Sequence, residues 1–127
     1  MVRPYIEIFE SSYDAYDAQH FTAQPGEAFI FPVSVSFRLG GTTFFENIEM
    51  LFLSPEAFLS ESIRSRKFLR GCLLFPNGYN YEMARSLLED ICELSTGDDI
   101  SDVVSNLRVF GVSDYEHPKW GVLNYYS

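Results

Sequence analysis

The sequence predicts an α+β domain, an antiparallel sheet of about four to five strands with about three helices packed on one face. Three observations carry this. Phe29 to Leu39 alternates strictly: Phe29, Phe31, Val33, Val35, Phe37 and Leu39 fall on one side, opposite Pro32, Ser34, Ser36 and Arg38. Phe44 to Leu53 repeats the two-residue period and then stops at Ser54-Pro55-Glu56, a helix start. The second half changes to helical spacing, with Ala84, Leu87, Leu88, Ile91 and Leu94 in one stripe. Strands come first and helices later, as in an α+β layer rather than alternating βαβ units.

Along the chain, Tyr5 to Phe9 predicts a short first strand with Ile6 and Ile8 on the same face. Glu10 to Glu27 reads as a polar loop ending in the turn signal Pro25-Gly26. Pro32 cannot donate to a ladder, so its end of the second strand should be an edge or a bulge. Gly40-Gly41-Thr42 turns that strand into the third as a hairpin. In the third, Ile48, Met50 and Phe52 share a face, Asn47 and Glu49 open the other, and Leu51 and Leu53 make the far end apolar on both sides.

Ser54 caps the following helix, Pro55 takes its first position, and Glu56 lies against the positive helix end. Phe58, Leu59 and Ile63 should point inward, before a basic cluster of Arg64, Arg66 and Lys67 at the end. Phe68 to Phe75 reads as a strand before the turn Pro76-Asn77-Gly78. Asn80 caps a helix with Glu82, Arg85, Glu89, Asp90 and Glu93 on its polar face and Gly97 as its stop. Asp99 and Asp102 start a third helix with Ile100, Val103, Val104 and Leu107 inward. Val109 to Glu116 suits a last strand, and Trp120, Tyr125 and Tyr126 form an aromatic tail.

At 127 residues the chain, 1–127, is a single domain by length. Hydrophobic residues make up 46% and charged residues 21%, the mix of a folded protein. Nine basic against eighteen acidic residues leave a charge of −9. Such a surface repels nucleic acid and anionic membranes, and suits a cationic partner or simple solubility. Cys72 and Cys92 are too few for a disulfide framework. Met1-Val2-Arg3-Pro4 leads straight into a strand without a basic, apolar leader, and no apolar run reaches spanning length. A cytoplasmic, soluble protein is the expectation.

Chemistry is sparse. His20 and His117 stand nearly a chain apart, without a serine, cysteine or carboxylate that sequence places within reach, so an enzyme is not expected. Asp98 and Asp99 read either as a metal site or as helix caps. Capping explains them better, since no histidine or further carboxylate has ligand spacing. No cofactor or metal is expected. Recognition residues are easier to find: Tyr13, Asp14, Tyr16 and Asp17 interleave aromatic and acidic side chains in the first loop. Glu82, Glu89 and Glu93 share a helix face, and Asp114 and Glu116 lie near the end. The same loop reads equally well as a surface segment pinned by its tyrosines.

Several strings in order give a resemblance: Leu53-Ser54-Pro55 closing a strand, Arg70-Gly71-Cys72-Leu73-Leu74 entering one, and Tyr79-Asn80-Tyr81-Glu82 opening a helix. Gly97-Asp98-Asp99 and Leu107-Arg108-Val109-Phe110-Gly111 complete the series. Over about residues 44–116 the chain resembles the immunity protein family numbered eight among those of bacterial polymorphic toxin and contact-dependent inhibition systems. It departs from that pattern at Ile100 and at Ser113-Asp114, where tryptophan and a Trp-Glu pair are expected. The resemblance implies stoichiometric inhibition, in the cytoplasm, of a cognate toxin domain that is often a basic nuclease. The nine recognition residues above would then face the toxin. The alternatives are an acidic DNA mimic, which would bind DNA-binding proteins with little selectivity, and a small-ligand module whose aromatics line a pocket.

Overall fold

The computed structural model describes residues 1–11, 17–59 and 71–113. The strands are β1 (Pro4–Ser11), β2 (Ile30–Leu39), β3 (Phe45–Leu53), β4 (Cys72–Leu74) and β5 (Val112–Ser113). The described helices are α1 (Pro55–Phe58), α2 (Tyr81–Leu94) and α3 (Ile100–Leu107). They form one α+β unit with the strand order β1-β2-β3-β4. The sheet is mixed. β1, β2, β3 and β5 pair antiparallel, whereas β4 runs parallel to β3 opposite Leu51 to Leu53.

The predicted hairpin sets the register, with Phe31 opposite Phe52, Val33 opposite Met50 and Val35 opposite Ile48. These side chains, with Phe37, are buried on the face that meets the helices. Ala84, Leu88, Ile91 and Cys92 of α2 and Val103 and Leu107 of α3 join them in one core. An aromatic group closes its end: Phe52 and Phe75 lie 4.9 Å apart, and Phe31 meets Tyr79 nearly edge-on at 5.4 Å. Pro32 lies opposite Leu51 of β3, next to Val33, which pairs with Ser11 at the end of the described part of β1.

Ser54 does more than cap. Its Oγ accepts from Ala57 N at 3.2 Å and from Phe29 N at 3.0 Å, tying the start of β2 to the corner between β3 and α1. Asn80 and Asp99 cap α2 and α3 as expected, accepting from Met83 N at 2.8 Å and Asp102 N at 2.9 Å.

One shared-face assignment, Ile6 with Ile8, and three inward assignments change. A bulge between Ile6 and Ile8 inserts Glu7 without a partner and reverses the alternation, so Phe9 is buried while Ile8 turns outward. Phe58 and Leu59 are exposed, because α1 has a single turn and Ala57 supplies its buried contact. Leu94 is 68% exposed, at the last position of α2, turned off the side that buries Ala84, Leu88, Ile91 and Cys92. Ile63, the basic cluster Arg64, Arg66 and Lys67, and the tail residues Trp120, Tyr125 and Tyr126 lie outside the described residues.

Two glycines let the far edge form. Gly71 has φ +78, and the carbonyl it carries accepts from Leu51 N at 2.8 Å. At Gly111 a Cβ would lie 2.3 Å from Ile48 Cγ2 and 2.5 Å from the Glu49 carbonyl, so only glycine admits β5 to β3. Among the described residues no helix is long and apolar enough to cross a membrane.

Candidate interaction surface

The polar face of α2 follows from helical periodicity. Ala84, Leu88, Ile91 and Cys92 take the buried side. Residues 82, 89 and 93 are spaced by seven and eleven, near-whole numbers of turns, so they share one stripe away from it. Glu82 and Glu93 are exposed, and Asp90 beside them is exposed too. Met83 is 40% exposed, and Leu94 stands clear of the core at the other end.

The stripe is not uniformly free. Arg3 Nη2 donates to Glu89 Oε2 at 3.1 Å and Arg3 Nε to Glu93 Oε2 at 3.3 Å, and Arg85 lies 3.8 Å from Glu89. The Glu89 bond raises the proton affinity of the Arg3 guanidinium, which lies 5.7 Å from the Tyr5 ring centre. Glu89 is therefore chiefly a tie between the start of the chain and α2. Glu93 keeps three quarters of its side chain exposed, at 76%, despite its bond.

Asp17 is the one member of the first-loop group within the described residues; Tyr13, Asp14 and Tyr16 lie outside them, as do Asp114, Glu116 and His117. Its carboxylate accepts from His20 Nδ1 at 2.6 Å and from Gln19 N at 2.9 Å. The His20 bond holds the carboxyl below the usual aspartate range. The neighbouring Ala18 carbonyl accepts from Tyr79 Oη at 2.7 Å. That bond ties the segment at Ala18 to Tyr79, just before the start of α2.

The other sheet face has a different character. Tyr5, Ile8 and Phe45 are half exposed there around Glu7 and Arg38, which pair through Nη2–Oε1 at 2.8 Å and Nε–Oε2 at 2.5 Å. Glu7, Ile8, Ser36, Arg38 and Phe45 line a shallow recess of about 160 Å³. Periodicity missed this patch because the bulge at Glu7 turns Ile8 outward.

Sequence reading also passed over Glu46, only 4% exposed. Arg108 Nε and Nη2 lie 3.0 Å from its Oε1, and Ser113 Oγ donates to the same oxygen. The signal was available in the parity: Glu46 falls on the face of Ile48, Met50 and Phe52. A carboxylate there requires a donor on a neighbouring element.

The thiols of Cys72 and Cys92 are both pushed up to about 11 by burial, so both stay protonated and unreactive near neutral pH. Among the described residues no group of three or more His, Cys, Asp or Glu side chains could hold a metal ion. Asp98 and Asp99 serve the α3 start instead, with Asp98 N donating to Asp102 Oδ2 at 3.3 Å. No family model, curated protein or solved structure matches the chain.

Proposed function

We propose that the chain is an inhibitory binding protein of the immunity type, which holds a basic toxin domain, of nuclease character, in a one-to-one complex in the cytoplasm. The observation that carries this reading is the exposed acidic face of α2. Glu82, Asp90 and Glu93 point away from the core beside the exposed Met83 and Leu94, on a chain of net charge −9. Long-range attraction brings a cationic surface to such a face, and desolvated apolar contacts then slow its release. The ordered strings from Leu53 to Gly111 support the same class. The protein works by occupancy, with no turnover of its own.

The test is co-expression with the toxin domain of a secreted effector encoded beside this chain's gene. Growth should be restored, and light scattering should give a one-to-one complex. The triple variant Glu82→Lys/Asp90→Lys/Glu93→Lys should stay folded and protect poorly. Failure of the parent chain to bind or protect against that toxin defeats the proposal, as does protection that survives the triple reversal with unchanged affinity.

A further inference from the structure

We infer that α2 carries a docking seam for a basic amphipathic helix, formed by Met83, Leu87, Asp90 and Leu94. This names the kind of element that the binding partner presents, and it rests on the functional reading above only for the partner's biological identity. The seam residues follow a 4-3-4 spacing, the interval at which a helix keeps one line of side chains towards another helix. The core does not use them fully: Met83 is 40% and Leu94 68% exposed, and Leu87 is only partly buried against the core. Along the axis the line runs about 16 Å, or three turns. An extended strand has no repeat that follows it, whereas a helix of similar length does.

Charge selects among helices. Asp90 stands inside the seam, so a partner that covers it must place a cation opposite or leave a buried carboxylate unpaired. Glu82, Ser86 and Glu93 form the exposed flank on one side. A second copy of this helix would set Asp90, Glu82 and Glu93 against like charges, which disfavours self-pairing. The occupant is therefore a helix with an apolar line interrupted by lysine or arginine and flanked by more of them.

A fluorescein-labelled Leu/Lys peptide of about 14 residues, patterned to this spacing, serves as the probe. Its control is a scrambled peptide of identical composition. Anisotropy titration of the full chain should show the patterned peptide binding roughly tenfold or more tightly than the scramble. Met83→Ser/Leu94→Ser, which leaves the charge unchanged, and Asp90→Lys should each remove that preference. Glu10→Lys, on the other sheet face, should keep it. Equal binding of the two peptides overturns the inference, as does a preference that survives both seam variants. So does a dimer in sedimentation that dissociates with Met83→Ser/Leu94→Ser. Peptide selectivity without toxin neutralisation would leave the seam standing and remove the immunity reading. Neutralisation that ignores the seam variants would do the reverse.

Discussion

Glu46 and Glu7 are both carboxylates paired with arginine, and their surroundings give them opposite sensitivities. Glu46 is buried, so its stabilising effect depends on partners that keep it solvated: Arg108 at the α3 end and Ser113 in β5. Arg108→Ala should cost about 1–3 kcal/mol in urea unfolding, less than a fully buried pair because the arginine side chain is itself 35% exposed. Arg108→Lys should recover only part, since one ammonium cannot reproduce contacts from two nitrogens. A loss under about 0.3 kcal/mol for the alanine variant would show that Arg108 is not Glu46's essential donor. Glu7 is an exposed partner, and the hydrogen bond from Arg38 holds its carboxyl below the ordinary value of 4.5. A depressed folded pKa means stabilisation that is present above pH 4.5 and lost as pH falls through the lower folded value. The thermal midpoint difference between the parent and Glu7→Gln should therefore be largest near neutrality and shrink as the pH falls below 4.5. A difference independent of pH would assign the effect to shape rather than charge.

Gly111 is the element-scale counterpart, because an entire strand pairing depends on its missing side chain. With alanine there, Ile48 and the Glu49 carbonyl must move or β5 must leave β3. Gly111→Ala should cost about 1–3 kcal/mol and raise amide exchange at Val112 and Ser113. Unchanged stability and exchange would show that the edge can shift without penalty. The elements that sequence reading captured are those that repeat their own signal: β2 and β3 over about four to five periods, α2 over about four turns, and caps at Ser54, Asn80 and Asp99. The strands expected within Phe68 to Phe75 and Val109 to Glu116 contain β4 and β5, but their pairing depends on distant partners. The direction of β4 comes from its place beside Leu51 rather than from its own side chains. Glu7 is a legible polar residue, but that it bulges can be seen only in the register against Phe37 and Ser36. The acidic face of α2 was visible at Glu82 and Glu93. The bond from Arg3 to Glu89, spanning 86 positions, was not.

At the scale of the molecule, the relevant quantity is how charge is distributed among the described residues. At the sheet's outer face Glu7 is compensated by Arg38, and on α2 Glu89 is compensated by Arg3 and Arg85, while Glu82 and Asp90 remain on the exposed helix side. The proposed cationic partner would experience the summed field at a distance and meet Met83 and Leu94 only on contact. The two stages separate in kinetics. Asp90→Lys with Glu82→Lys should slow association by roughly tenfold at low salt, and the gap should close to about twofold near 0.5 M salt, where the Debye length falls below about 5 Å. Met83→Ser/Leu94→Ser should leave the association rate within about twofold and speed dissociation by roughly tenfold instead, because buried apolar contacts act after encounter. Stopped-flow association and competition-chase dissociation at two salt concentrations measure both. If the charge variants alter only dissociation, or the apolar variants alter only association, the acidic face does not steer and the apolar residues do not hold.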